Sequence, residues 1–392
     1  MAQPGTAASE TAELAGRFRA TSAQIHANPE TAFQEHLAAG LLTGWLADEG
    51  FTVEKGVGGL DTAFVATSGE GGPLIAILAE YDALPGIGHG CGHNLIGAGA
   101  VLAASHLRRR SPDHPGTLVV IGTPGEEGGG GKIRLLDAGV FKGVDAALMF
   151  HPADRTLTVR RALAAAHVRI EFHGVAAHAA KNPEEGRNAL AAMIQLFVAI
   201  DGLRQHMPDR ARIHGVIRHG GEAPNVVPDF TSAEFYVRDE TATSALNLLT
   251  RLEACAHGAA IATGTRHELT HTAPMYTERR NSLAMAAALS RHLEAAGVAI
   301  EPSLDGHPAG SSDIGNVSLR TPTIHPYIQI AERGTPSHSA PFREAAATAY
   351  AHDQAERMAL AIAAVARDLL DDTDLLDAAR REHATAADTT PQ

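Results

Sequence analysis

The chain has 392 residues, 44% apolar and 20% charged, which is enough for more than one domain and for cores that need no covalent staples. A net charge of −13 argues against a nucleic-acid partner, and the one basic cluster, Arg108-Arg109-Arg110, falls where a helix end attracts cations. Two cysteines, Cys91 and Cys255, give no disulfide framework; with no secretory leader and no apolar run near the ~20 residues of a membrane span, a soluble protein of a reducing cytoplasm is expected.

Apolar positions Leu14, Phe18 and Ile25, then Leu37, Leu41, Leu42, Trp45 and Leu46, recur at helical spacing, with a break at Asn28-Pro29 and Gly50 as the helix stop. Strand-like pieces follow at Phe51 to Val53, Thr62 to Ala66 and Leu74 to Ala79. The last is a nearly continuous apolar run, suited to a strand buried on both faces. A glycine-rich loop over 86–92 enters a helix from Leu95 to Arg109. The strand Leu118 to Ile121 runs into Gly122-Thr123-Pro124-Gly125-Glu126-Glu127. After a short helix at Ile133 to Leu136, the strand Ala146 to Phe150 ends at His151-Pro152. Residues able to do chemistry therefore stand just past three apolar strands, where open α/β sheets place their sites.

From about residue 165 the pattern changes. His167 to Phe172 alternates apolar and polar residues, as a half-exposed strand does. A helix over Glu185 to His206, strands at Ile213 to Arg218 and Thr231 to Val237, a helix from Ala242 to Ala256 and a strand from Ala260 to His271 complete a β-α-β-β-α-β order. The β-α pattern resumes after Tyr276, with a helix from Leu283 to Ala296, a loop at 305–316, a strand at 323–330, a helix at 342–370 and a frayed polar tail from Glu382. The expected organisation is an α/β domain over 1–165 and 276–392, interrupted by a ferredoxin-like α+β domain over 166–275.

The chemistry centres on Gly88-His89-Gly90-Cys91-Gly92-His93. A thiolate and an imidazole two residues apart can converge on one metal ion, and glycines remove side-chain obstruction between them. Glu126-Glu127 is the second signal: in a glycine-rich turn one carboxylate can bind metal while its neighbour serves as general base. His151 and His338 are ordinary turn residues when taken singly. Together, Cys, His and Glu from separate strand-end loops can build a site for two metals with Cys91 bridging, and zinc accepts that mix of donors. Two alternatives stand beside this: a hydrolase with Cys91 as nucleophile and His93 as base, and a non-catalytic binding protein.

The runs Gly88-His89-Gly90-Cys91-Gly92-His93-Asn94, Pro124-Gly125-Glu126-Glu127-Gly128-Gly129-Gly130-Gly131 and Phe150-His151-Pro152 resemble the co-catalytic metallopeptidases that include bacterial glutamate carboxypeptidases and aminoacylases. The branch most resembled is that of amidohydrolases with a Cys-x-His site, which includes indole-acetyl-amino-acid hydrolases, p-aminobenzoyl-glutamate hydrolase and a β-alanyl-lysine dipeptidase. The run Ala79 to His89 is most similar to the last two, and the resemblance extends from about residue 10 to 370.

The resemblance implies a mixed-sheet catalytic domain with helices on both faces and an inserted lid or dimerisation domain. It implies two divalent ions, Zn²⁺ or Mn²⁺, held by Cys91, His93, Glu127, His151 and His338, with Glu126 as general base and acid. His178, in Gly174-Val175-Ala176-Ala177-His178, resembles a lid histidine that polarises the scissile carbonyl from the partner subunit of a homodimer. Asn225 and Arg238 resemble residues that hold a substrate carboxylate, and Arg can grip one bidentately. Many relatives carry His-x-Asp where this chain has Glu80 and Asp82. Asp82 is expected to orient a ligand, and Glu80 is left between metal, substrate and core pairing. Gly310-Ser311-Ser312 and His325-Pro326-Tyr327 also resemble pocket-lining runs of the branch. The implied activity is hydrolysis of the amide bond of a small N-acyl amino acid, aryl-amide or dipeptide-like substrate, with no membrane partner.

Overall fold

The computed structural model describes residues 4–303 and 310–388. The described residues divide into two compact units. One comprises the chain up to Arg161 and from Arg279 onward, apart from 310–315; the other comprises Ala162–Glu278 together with 310–315.

The first unit opens with helices α1 (Pro4–Ala27) and α2 (His36–Asp48), then strands β1 (Thr52–Lys55), β2 (Phe64–Glu70) and β3 (Leu74–Ala79), helix α3 (His93–Arg110), β4 (Gly116–Gly122), α4 (Gly131–Asp137), β5 (Ala146–Leu148) and β6 (His151–Ala153). The second unit holds β7 (Ala164–His173), α5 (Ala189–Arg204), β8 (Arg212–His219), β9 (Phe230–Asp239), α6 (Ala242–Thr263) and β10 (Arg266–His271). Then follow α7 (Leu283–Ala295), α8 (Ile314–Ser318), β11 (Thr323–Ile324), β12 (Tyr327–Gln329), α9 (Ala340–Ala345), α10 (Ala349–Asp371) and α11 (Thr373–Asp388).

A six-stranded mixed sheet, ordered β1-β2-β4-β3-β5-β11, organises the first unit. β3, β4, β5 and β11 run parallel, and β1 and β2 add antiparallel neighbours at one edge. Parallel strands put the exits of β3 and β4 side by side, so the residues after Ala79 and Gly122 emerge at one edge of the sheet. Ile75 to Ala79 of β3 are all buried, as their unbroken apolar run requires. α3, rich in Ala and Gly, packs against β3 and is flanked by α1 and α10. Trp45, Phe18, Phe64, Leu95 and Met358 belong to one core with these strands.

The second unit is a four-stranded antiparallel sheet in the order β10-β7-β9-β8. In chain order this is fourth, first, third, second, the ferredoxin-like arrangement. α5 and α6 pack on the sheet through Leu196, Ile200, Leu248 and Leu252, against Val168, Ile170, Phe172 and Phe235.

Several boundaries differ from sequence expectation. α6 continues to Thr263, where Gly264 at φ 67° ends it, so 260–263 are helical and the strand starts at Arg266. The expected strand over 146–150 is two pieces: β5 stays in the main sheet, while β6 begins at His151 and pairs with β12 in a separate ribbon. The strand expected at 323–330 splits in the same way into β11 and β12. The helix expected at 342–370 breaks between α9 and α10, where Thr348 caps the second segment. The tail is helical to Asp388, because the Glu382 carboxylate accepts from the Ser282 hydroxyl and the Ala284 N–H, capping α7. The loop expected at 305–316 lies partly outside the described residues, and 314–318 form α8.

Candidate functional site

Four loops of the first unit bring the expected ligands together. Cys91 ends the glycine-rich run after β3, and Gly92, at φ 76°, turns the chain so that His93 opens α3. Glu126 and Glu127 follow β4, His151 opens β6, and His338 lies in the loop before α9. The His338 N–H donates to the Gly90 carbonyl at 2.9 Å, which ties that loop to the one carrying Cys91.

Donor atoms of Cys91, His93 and His151 lie within 4.8 Å of one another, as do those of Cys91, Glu127 and His338. The two trios share the Cys91 sulfur. A third trio, Glu80, His93 and Glu126, adjoins the first through His93. All five expected ligands and the expected base therefore occupy one cluster.

Two of the three imidazoles, those of His93 and His151, are aimed by an oxygen behind them. His93 Nδ1 lies 2.9 Å from the Asp82 carbonyl and 3.2 Å from its Oδ1. His151 Nδ1 lies 2.6 Å from the Pro152 carbonyl. Both neighbours are acceptors, so Nδ1 carries a proton in each ring and Nε2 is the nitrogen left for a ligand role. Asp82, expected to orient a ligand, orients two: its Oδ2 also accepts the Glu127 N–H at 2.9 Å.

The electrostatics fit divalent cations. His93 Nε2 and Glu127 Oε1 are buried, and neither has a hydrogen-bond partner among the described residues. Burial alone would lower the His93 pKa, yet the carboxylates of Glu80, Asp82 and Glu127 outweigh it and raise it well above the usual value. Burial, then the charge of His93, drives His151 well below its usual value, which leaves a neutral ligand-type imidazole. Burial resists ionisation of Asp82, but its hydrogen bond to His93 holds it below the ordinary carboxylate value. The Cys91 thiol is pushed far up, first by burial and then by Glu127, Glu126 and Glu80. A thiolate ringed by carboxylates needs cations to form, and that environment opposes Cys91 as a free nucleophile.

Glu80 pairs with Lys132, both fully buried, and its other oxygen lies 3.0 Å from His93 Nε2 without hydrogen-bond geometry. It therefore pairs with Lys132 in the core and also belongs to the third trio. Lys132 carried no signal in the sequence beyond its position after the glycine run. His325, also buried, sits with its ring 5.7 Å from that of His151, and Tyr327 pairs with His151 across β6 and β12.

The second unit holds the other expected residues. His178 is exposed, and its Nδ1 accepts the N–H groups of Ala180 and Lys181 at 3.2 Å each. The exposed Asn225 adjoins it, since its carbonyl accepts the Ala179 N–H at 3.0 Å. The part-buried Arg238 donates to the Ser311 hydroxyl at 3.0 Å and faces the Tyr236 ring at 5.6 Å. No carboxylate of the described residues pairs with its guanidinium, and burial lowers its pKa.

Known proteins share this fold and part of this sequence. The family model described as peptidase family M20/M25/M40 matches residues 76–352. The chain is similar to the Xaa-Arg dipeptidase of Mus musculus, at 34% identity over 97% of this chain and 95% of the relative. It is also similar to a p-aminobenzoyl-glutamate hydrolase chain of Escherichia coli strain K12, at 32% identity over 96% of this chain and 93% of the relative. Its fold matches a dinuclear metal-binding peptidase of Bacillus subtilis, with TM-score 0.69 at 22% identity over 92% of this chain and 99% of that one. It also matches an aminobenzoyl-glutamate utilization protein of Klebsiella pneumoniae, with TM-score 0.70 at 22% identity over 93% and 97%.

Proposed function

The chain belongs to peptidase family M20/M25/M40, a metal-dependent hydrolase of amide or peptide bonds, and from that premise we propose which of its residues do the work. The reading rests above all on the two ligand trios that share the Cys91 sulfur.

Cys91, His93 and His151 would hold one divalent ion, and Cys91, Glu127 and His338 the other, as Zn²⁺ or Mn²⁺. When bound, such a pair supplies Lewis acidity at the scissile carbonyl and acidifies water. Glu126 takes the proton of the attacking water and delivers it to the leaving amine. His178, with Nδ1 engaged by two N–H donors, carries its proton on Nε2 and offers that N–H as a hydrogen bond to the developing oxyanion. Arg238 and Asn225 grip a free carboxylate of the substrate; a part-buried guanidinium without a carboxylate partner favours an anionic group there. The substrate class is a small N-acyl amino acid, aryl-amide or dipeptide.

Residues 1–165 and 276–392 form the catalytic domain, and 166–275 a lid that also joins two copies. β8 is an edge strand with Val216 and Ile217 exposed, and α5 exposes Ile194 and Val198, a surface suited to pairing with a second copy. Sedimentation of a Val198→Glu/Val216→Lys variant as a monomer, against a dimeric wild type, is the expected outcome.

The deciding experiment loads metal-free protein with Zn²⁺ or Mn²⁺, counts bound metal, and screens N-acyl amino acids, p-aminobenzoyl-glutamate and dipeptides. Two equivalents are expected, with chelator-sensitive hydrolysis, and Cys91→Ala is expected to lose at least one equivalent. Activity that survives chelation and falls only to thiol alkylation would overturn the reading.

A further inference from the structure

Glu35 stands at the N-cap of α2, yet its side chain makes no cap bond. Glu30 takes that task, accepting the Leu37 and Ala38 N–H groups at 2.9 and 3.0 Å. The Glu35 carboxylate, fully buried, turns the other way. Its Oε1 accepts the N–H of Phe33 and the N–H of Gly125, both at 2.9 Å, and its Oε2 accepts the Thr62 hydroxyl at 2.7 Å. Gly125 is the residue immediately before Glu126.

Phe33 works with it. It is one of two non-glycine residues at positive φ, 64°, among those described, a conformation that side chains adopt only when surroundings enforce it. Its ring lies where any Cβ on Gly125 would stand, 2.7 Å from the nearest ring atom. Arg134 covers the ring at 4.6 Å and donates to the Gly129 carbonyl at 3.2 Å. The glycine-rich loop is thus held at Gly125 by a buried carboxylate and along its length by an aromatic plate. The Glu35–Gly125 bond links residues ninety apart in sequence, so it does not build the local turn.

We propose that Glu35 is a positioning residue for the reaction, fixing the backbone that presents Glu126 and Glu127. The proposal rests on the reading that this loop carries the base and a ligand. It differs from a folding role because a loosened loop misplaces Glu126 in a protein that is still folded.

The test compares Glu35→Ala, Glu35→Gln and wild type. Glutamine keeps an oxygen for both N–H groups and can donate to the Thr62 oxygen, so it should rescue. Expected for Glu35→Ala is a kcat lower by roughly 100-fold with KM changed less than about threefold. Its metal-free form should show faster amide hydrogen exchange over 124–131, while Glu35→Gln stays near wild type on both readouts. Unchanged exchange and kcat in folded Glu35→Ala would overturn the proposal, and so would equal losses in both variants. If Glu35→Ala does not fold, Phe33→Ala takes its place and should show the same faster exchange; unchanged exchange overturns the proposal there too. Should the wild type hydrolyse no amide, the functional reading fails, and the exchange difference alone then supports or overturns the clamp.

Discussion

The two units present their histidines in opposite senses. In the first, His93 and His151 each have Nδ1 against an oxygen, so Nε2 is the nitrogen that faces the cluster around Cys91. In the second, His178 is exposed and its Nδ1 accepts two N–H groups, so Nε2 offers a proton. Which ring nitrogen each histidine presents is set by its neighbours, backbone groups in every case and the Asp82 carboxylate as well at His93. The difference points to a testable division of labour: the first unit assembles charge in a buried cluster, while the second carries candidate donors, His178 and Asn225 exposed and Arg238 part-buried on β9.

That division breaks first at Glu126. Glu126→Gln is expected to lower kcat by about 10²–10⁴-fold while two equivalents of metal remain, measured by turnover and metal analysis on the same sample. Retained turnover would remove the first unit's claim to the proton transfer. His178→Ala tests the other side. A fall in kcat of about 10²–10³-fold is expected, with metal content and unfolding temperature unchanged. Mixing it with Glu126→Gln should restore part of the activity in verified heterodimers if His178 acts across subunits. A smaller effect is expected at Asp82. Asp82→Asn weakens the hold on His93 and Glu127 together and should reduce metal affinity roughly 10–100-fold by competition with a chelating dye.

That Cys91, His93, Glu127, His151 and His338 gather in one cluster was legible because each sits in a short glycine- or proline-marked run, four of them beside strand ends that the parallel sheet brings together. The supporting residues were not legible. Asp82 was visible as a candidate, but its second bond, to the Glu127 N–H, depends on the register of β3 beside β4. Glu35 and Lys132 reach the site only through contacts 90 and 52 residues away in sequence. Glu35 even occupies a position where local rules assign it to its own helix. The misread boundaries have similar causes. Residues 260–263, Ala-Ile-Ala-Thr, adjoin the strand that follows, but Ala-rich chain continues a helix until a residue such as Gly264 can turn left-handed. The tail reads as polar fraying, yet Glu382 is held by the start of α7, about a hundred residues earlier.

The smallest expected effect sharpens the comparison from within the second unit. His167 stacks on Tyr236 with ring centroids 4.0 Å apart, and its Nε2 has no hydrogen-bond partner among the described residues. Burial, then the charges of Arg238 and His214, lowers its pKa to about 4. The folded value lies below the unfolded one, so above about pH 6.5 both states are neutral and the shift has no effect. As pH falls from there toward 4, the unfolded chain takes up a proton that the folded one refuses, and stability is lost across that window. His167→Phe keeps the stacking and removes the proton. Its stability relative to wild type should therefore rise steadily from pH 6.5 to pH 4, read from denaturant midpoints. The curve flattens without becoming level, because burial lowers His214 as well. Parallel curves for variant and wild type would mean that His167 takes up its proton in the fold as readily as in the unfolded chain. The second unit would then present a charge where its aromatic packing now implies a neutral ring.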